Sequence, residues 1–173
     1  AIAINEEEIE NELSILNQAE NFSEIVLWFE FDLFCHINLL GVLKLLQERQ
    51  INSPIYLVSS GRIEGEKNLK ALTELPSDQL LLHYKNKVLL LESDMELARS
   101  IWHIYCGKDH NLLKPYIVQN SSFKYLSSCL KAHLKRFPNL KNGLGVLEKN
   151  ILTIVRDEIV KSKGHLVGYA LNF

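Results

Sequence analysis

The chain has 173 residues, 47% apolar and 23% charged, with a net charge of −2. That is long enough to bury a core without disulfide or metal staples, and too apolar for a disordered chain. No apolar run reaches the roughly 18 residues of a membrane span, and the N-terminus is acidic where a signal peptide would need a basic region.

Asn5, with Glu8 three residues on, forms a capping-box pattern with Asn in the capping role. Ile9, Leu13 and Leu16 follow at helical spacing, which predicts an amphipathic helix over residues 6–18. Glu6, Glu7 and Glu8 suit its N-terminus, where the helix dipole favours anions. Residues 25–29 are apolar without alternation, the pattern of a parallel strand buried on both faces. Residues 33–47 are apolar on nearly every side, so they predict a largely buried helix. Pro54 precedes a second strand, residues 55–58. Strand, helix and strand within about 34 residues make a βαβ unit with parallel strands.

Residues 63–75 read as a long loop ending in a short helical turn, and Pro76 opens a helix to about residue 84. Residues 87–91 fit either a short strand or the lead into a buried helix. Beyond Glu92 the strand pattern stops. Met95, Ala98, Trp102 and Tyr105 predict a helix ending at Gly107, and residues 111–118 a short one bent at Pro115. Phe123 to Phe137 predicts an amphipathic helix stopped by Pro138, residues 146–158 another, and residues 165–173 the start of a last one. The expected fold is α/β: a small parallel sheet in residues 1–91, then an all-helical, winged-helix-like half in residues 92–173.

Cys35, Cys106 and Cys129 are widely spaced with no CxxC pair, so they predict reduced thiols rather than a disulfide framework or zinc knuckle. His103, His110, His133 and His165 lack metal-ligand spacing, and no metal or cofactor is assigned. Charge is uneven. Residues 1–43 hold nine carboxylates and no Lys or Arg, whereas residues 108–141 hold seven Lys or Arg against Asp109 alone. That asymmetry points the second half toward an acidic partner, nucleic acid among them.

Ligands of open α/β folds bind at the carboxyl edge of the sheet. The first strand ends at Glu30 and Asp32, and the second at Ser59, Ser60, Gly61 and Arg62. Two carboxylates, two hydroxyls, a glycine and a guanidinium would grip a polar ligand there, with Arg62 suited to phosphate or carboxylate. Trp28 beside them would stack a base or sugar, or simply fill the core. Asp32 and His36 stand at i, i+4, a spacing that lets a carboxylate orient an imidazole. Asp32 also fits a helix N-cap, and His36 a satisfied buried histidine. Cys35 lies near a helix N-terminus, which lowers a thiol pKa, and equally fits the core. Glu30 follows a buried strand and must be paired or lie in a cleft, with Arg62 as one partner. Lys124, Lys131 and Lys135, with Arg136 nearby, form a basic stripe suited to a phosphate backbone, or an ordinary solvated helix face. Asn142-Gly-Leu-Gly145 followed by Glu148 reads as a tight turn into a capped helix.

Leu27-Trp-Phe-Glu-Phe-Asp-Leu-Phe-Cys-His-Ile-Asn, Tyr56-Leu-Val-Ser-Ser-Gly-Arg62, and Leu134-Lys-Arg-Phe-Pro138 with Asn142-Gly-Leu144 resemble a bacterial domain-of-unknown-function family, number eighteen-thirty-five. The resemblance covers most of the chain, and the Trp-Phe-Glu-x-Asp-Leu run is its most specific part. It implies a cytoplasmic protein with a further α/β segment before Ala1 and a winged-helix-like tail beyond Phe173, and no assigned activity. The chain also begins without Met and stops at Asn172-Phe173 without a polar tail, in keeping with ends cut from something longer. Phe31, His36 and Gly145 depart from the family's usual His or Tyr, Gln and Ser. A Gln at position 36 argues for hydrogen bonding there rather than proton transfer.

Together these features lead to the expectation of a cytoplasmic regulatory protein. Its α/β half would bind a small polar or phosphorylated ligand through Trp28, Glu30, Asp32, Ser59, Ser60, Gly61 and Arg62. Its basic half would meet nucleic acid or a protein. The rivals are a hydrolase or transferase using Glu30 or the Asp32–His36 pair, and a structural interaction module.

Overall fold

A computed structural model describes residues 5–157 and 160–172, excepting the side chains of 169, 171 and 172. Strand β1 (Ile25–Phe29) and strand β2 (Ile55–Ser59) pair in parallel, in register from Ile25 opposite Ile55 to Phe29 opposite Ser59. Helix α2 (Leu33–Glu48) makes the crossover. Its apolar sequence matches its burial along most of its length: Leu39, Leu40, Leu43 and Leu46 are buried to 2% exposure or less, while Phe34 in its first turn stays exposed. Each such leucine contributes roughly 1.5–3 kcal/mol by leaving water. The fold is α/β, as the run of residues 25–58 predicts.

Helix α1 (Glu6–Leu13) starts at the expected Asn5 cap, whose Oδ1 accepts from Glu8 N–H at 3.3 Å. It stops earlier than its apolar spacing predicts, and continues as a 3₁₀ segment, Ser14–Asn21. Ser14 sits at the changeover, its hydroxyl donating to the Asn11 carbonyl at 2.6 Å.

Residues 87–91 settle as a strand. Strand β3 (Val88–Leu89) runs antiparallel to β2, so the sheet is mixed and β2 is its centre. Helix α3 (Ser77–Lys85) precedes it. Lys87 ion-pairs with Glu24 at 2.5 Å, and its Nζ lies over the rings of Tyr56 and Tyr84. This ties the entry of β1 to the entry of β3.

Strand β1 is half-buried rather than doubly buried, because it stands at the edge of the described sheet. Trp28 keeps 38% of its surface exposed and stacks on Tyr84, with centroids 6.4 Å apart and planes at 6°. It is therefore not a core residue.

Helix α4 (Glu92–Tyr105) lays Leu97, Ala98 and Ile101 against α2. The 3₁₀ segment His110–Val118 buries Leu113, and Pro115, which has no N–H to donate, keeps it short of an α-helix. Helix α5 (Leu126–Lys135) adds Leu126 and Leu130. One core thus runs from Ile37 to Leu130, across the 91/92 boundary at which the sequence changes character. Helix α6 (Val146–Asp157) follows the predicted Gly145 cap, and α7 (Lys163–Asn172) starts two residues before its predicted start. Glu158 and Phe173, in the predicted ranges of these two helices, lie outside the described residues, as do both flanking segments that the family resemblance implies. No helix among the described residues is long and apolar enough to cross a membrane.

Candidate functional site

Most of the predicted ligand-site residues fall at one of two places. The first is the turn from β1 into α2. Glu30 is held here by the chain that crosses it: its Oε1 accepts the Leu72 N–H at 2.8 Å. It makes no ion pair with Arg62. Asp32 is the N-cap of α2, its Oδ1 accepting the Cys35 N–H at 2.9 Å. Burial alone would raise the Asp32 carboxyl, but hydrogen bonds from Cys35 and Phe34 outweigh it and hold the group below the usual carboxylate range. Single ligand atoms of Glu30, Asp32 and Cys35 lie within 4.8 Å of one another, a spacing that one divalent cation could bridge.

The same turn disposes of an activated thiol. Burial, then the hydrogen bond to Asp32, pushes the Cys35 thiol up, reversing the expected effect of the helix N-terminus. Cys129 donates its S–H to the Phe31 carbonyl at 3.4 Å, and burial pushes it up to about 12. Both thiols are held protonated, Cys129 in the core and Cys35 half-buried beside it.

His36 is 1% exposed. Its Nδ1 meets the backbone carbonyl of Asp32 at 3.2 Å, not the carboxylate, which is occupied in capping the helix. The i, i+4 spacing therefore forms no carboxylate–imidazole dyad. With Nδ1–H donating, Nε2 is a bare acceptor without a partner, beside the edge-on ring of Tyr125. Burial holds the His36 pKa below its ordinary value, against the raising effect of the Asp32 and Glu30 carbonyls. The folded state thus prefers neutral His36. Its contribution is complete above the unfolded pKa of about 6.5 and is lost as pH falls through the lower folded value. In His36→Gln, which keeps a donor for the Asp32 carbonyl, urea midpoints should decline less between about pH 7.5 and about pH 5 than in the parent. Equal declines would show that His36 does not titrate with unfolding.

The second place is a cavity of about 400 Å³, within the size range of small-molecule sites. Ser59 and Arg62, from the end of β2, line one side. Ser122 and Lys124, from the segment before α5, line another, and His83 of α3 a third. Leu57, Leu82 and Val88 supply an apolar floor. The Ser59 hydroxyl has no hydrogen-bond partner. Arg62 is positioned through its backbone, whose N–H donates to the Tyr125 hydroxyl at 3.0 Å. Arg62 and Lys124, with the Ser59 hydroxyl and the His83 imidazole, outnumber the one carboxylate of the lining, Glu64, and give this cavity the chemistry of an anion site.

Of the remaining predicted residues, Ser60 is wholly buried and Gly61 packs on Tyr125, so neither lines the cavity. Trp28 faces α3 instead. Lys124 leaves the basic stripe, because α5 begins only at Leu126 and the residues before it turn toward Arg62; its Nζ rests 5.5 Å from the Tyr125 ring. Lys131, Lys135 and Arg136 remain exposed on or next to α5. Ser122 and His83 carry no sequence signal, since each is an ordinary residue of a polar turn or helix face.

Comparison with protein-family models, with curated proteins and with solved structures finds no match to this chain.

Proposed function

We propose that this chain is a ligand-binding regulatory protein. Its cavity beside the end of β2 takes a small molecule bearing a phosphate, and its basic helical surface contacts nucleic acid. The observation that carries this reading is the meeting of Ser59 and Arg62 with Ser122 and Lys124 across one cavity. A guanidinium fork and an ammonium would hold the phosphate, with the Ser59 hydroxyl as the further donor, since the Ser122 hydroxyl donates to Asp94. The apolar floor would receive the less polar part of the ligand.

The binding reading is preferred to the hydrolase reading for a geometric reason. Glu30 and Asp32 are committed to backbone N–H groups, and His36 is sealed beneath Tyr125. The cavity instead brings together two cations, Arg62 and Lys124, which suit the holding of an anion. The regulatory element is the segment that carries Ser122 and Lys124. It leads directly into α5, whose Lys131 and Lys135 are exposed. Ligand and nucleic acid would therefore act on one stretch of chain.

Titration with adenosine monophosphate and with pyrophosphate tests the ligand half. Binding is expected for at least one, weakened roughly tenfold or more by Arg62→Glu and by Lys124→Glu, since a charge-assisted contact is replaced by repulsion. Lys131→Glu should leave it unchanged. Duplex DNA at low salt should bind and be weakened by Lys131→Glu with Lys135→Glu. Failure of both phosphates at millimolar concentration would end the ligand reading, and absence of DNA binding the nucleic-acid reading.

A further inference from the structure

A second cavity, of about 390 Å³, lies where the end of α5 meets the start of α6. Tyr105, Phe137 and Leu147 give it apolar walls, and His133, Arg136 and Glu148 give it polar ones. His133 is 4% exposed, yet its Nδ1 has no hydrogen-bond partner. Its other ring nitrogen, Nε2, lies 2.9 Å from Nδ1 of His110. Tyr105 and Phe137 close around these two imidazoles, with centroids 5.1 and 5.3 Å from that of His133. A buried imidazole nitrogen without a partner is costly, and here it belongs to a residue that lines a cavity.

We propose that this cavity binds a small aromatic carboxylate, separately from the site beside β2. The carboxylate accepts from the Arg136 fork and from His133 Nδ1–H, while its ring lies among Tyr105, Phe137 and Leu147. Arg136 makes no ion pair among the described residues, so its guanidinium is available. Glu148 is the one carboxylate on the wall, and it stands in the first turn of α6, where the helix dipole offsets its charge. Gly145, the cap of that helix, is needed for this approach: a Cβ there would overlap the Arg136 carbonyl and sit 2.8 Å from Glu148 Oε2.

The imidazole pair couples the site to protons. Between His110 Nδ1 and His133 Nε2 only one proton fits. A bound carboxylate favours the imidazolium of His133, with Nε2–H donating to His110 and Nδ1–H to the ligand. The proton comes from solvent, so affinity falls as pH rises. The charged or titratable groups around His133 are Tyr105 from α4, His110 from the 3₁₀ segment, Arg136 beside it and Glu148 from α6. Arg136 opposes the imidazolium until the ligand neutralises it, and Glu148 favours it.

Calorimetric titration of the whole chain with sodium benzoate tests this, with benzamide as the uncharged isostere. Benzoate should bind, with Kd weakening roughly tenfold between about pH 6 and about pH 8. Benzamide and the Arg136→Gln variant should each lose roughly tenfold or more. Benzoate should also move the ring nitrogen resonances of His133 in the parent protein. His133→Asn should bind with its pH dependence gone. Should that variant not fold, the exposed Arg136 variant and the His133 resonances still decide. Equal affinity for benzamide, unchanged binding in Arg136→Gln, or unmoved His133 resonances would each overturn the proposal. Arg62→Glu should not affect benzoate, which separates this site from the one beside β2.

Discussion

Asp94→Ala is expected to destabilise the fold by about 2–3 kcal/mol, the cost of removing a buried carboxylate that accepts three part-buried hydrogen bonds. Asp94 is 4% exposed and sits in the first turn of α4. One carboxylate oxygen accepts the Ser122 N–H at 2.9 Å; the other accepts the Ser122 hydroxyl at 2.8 Å and the Leu91 N–H at 3.0 Å. The residue therefore caps its own helix and fastens the segment that leads into α5. Alanine removes the acceptor and leaves two backbone N–H groups without partners, one of them half-buried with Ser122. Asp94→Asn should fall between the two, because its amide keeps one acceptor and presents N–H to N–H at the other position. Urea denaturation measures both. In Asp94→Asn, phosphate-ligand affinity should also weaken, since Ser122 lines the cavity and Lys124 follows two residues later. A loss below about 1 kcal/mol in Asp94→Ala would mean that Ser122 is held by something other than this carboxylate.

The same residue marks where sequence reading stops. The parallel pair, the buried crossover helix and the caps at Asn5, Asp32 and Gly145 are legible because each depends on residues within a few positions. The ends of β1 and β2 are legible as a carboxyl edge for the same reason. What Glu30 does is not, because its partner, the Leu72 N–H, lies 42 positions away and a backbone donor leaves no mark in a sequence. Lys124 has the right charge and the wrong place in the sequence reading. Its spacing fits the α5 stripe, but the bonds from Ser122 to Asp94, 28 positions back, start the helix later and turn Lys124 toward Arg62. The apparent break at residue 91 has a related origin. Apolar spacing shows that α4 has a buried face, but not that the face lies on α2, so a change of element type reads as a change of domain.

Gly61→Ala is the second large effect, about 3 kcal/mol or more, from backbone strain and overlap together. Gly61 follows β2 at φ +138°, a conformation that costs an L-residue about 1–3 kcal/mol. A Cβ there would stand 2.8 Å from Tyr125 Cζ, nearer still to its hydroxyl oxygen, and 3.2 Å from Phe31 Cβ. Tyr125 has little room to withdraw. The edge-on rings of Phe31 and His36 lie 6.2 and 6.0 Å from its centroid. Its hydroxyl also accepts the Arg62 N–H, and the Gly61 carbonyl accepts the Lys70 N–H at 2.7 Å, so movement on either side breaks a bond that shapes the cavity wall. Combining Gly61→Ala with Tyr125→Ala separates the two causes. The double variant should be more stable than the sum of the single losses predicts, because the overlap is relieved once, while the φ strain persists. Strict additivity would mean that the ring is not what the new methyl meets. Gly61→Ala within about 1 kcal/mol of the parent would mean that β2 leaves the sheet along another path, and Arg62 would then not be held where the phosphate site needs it.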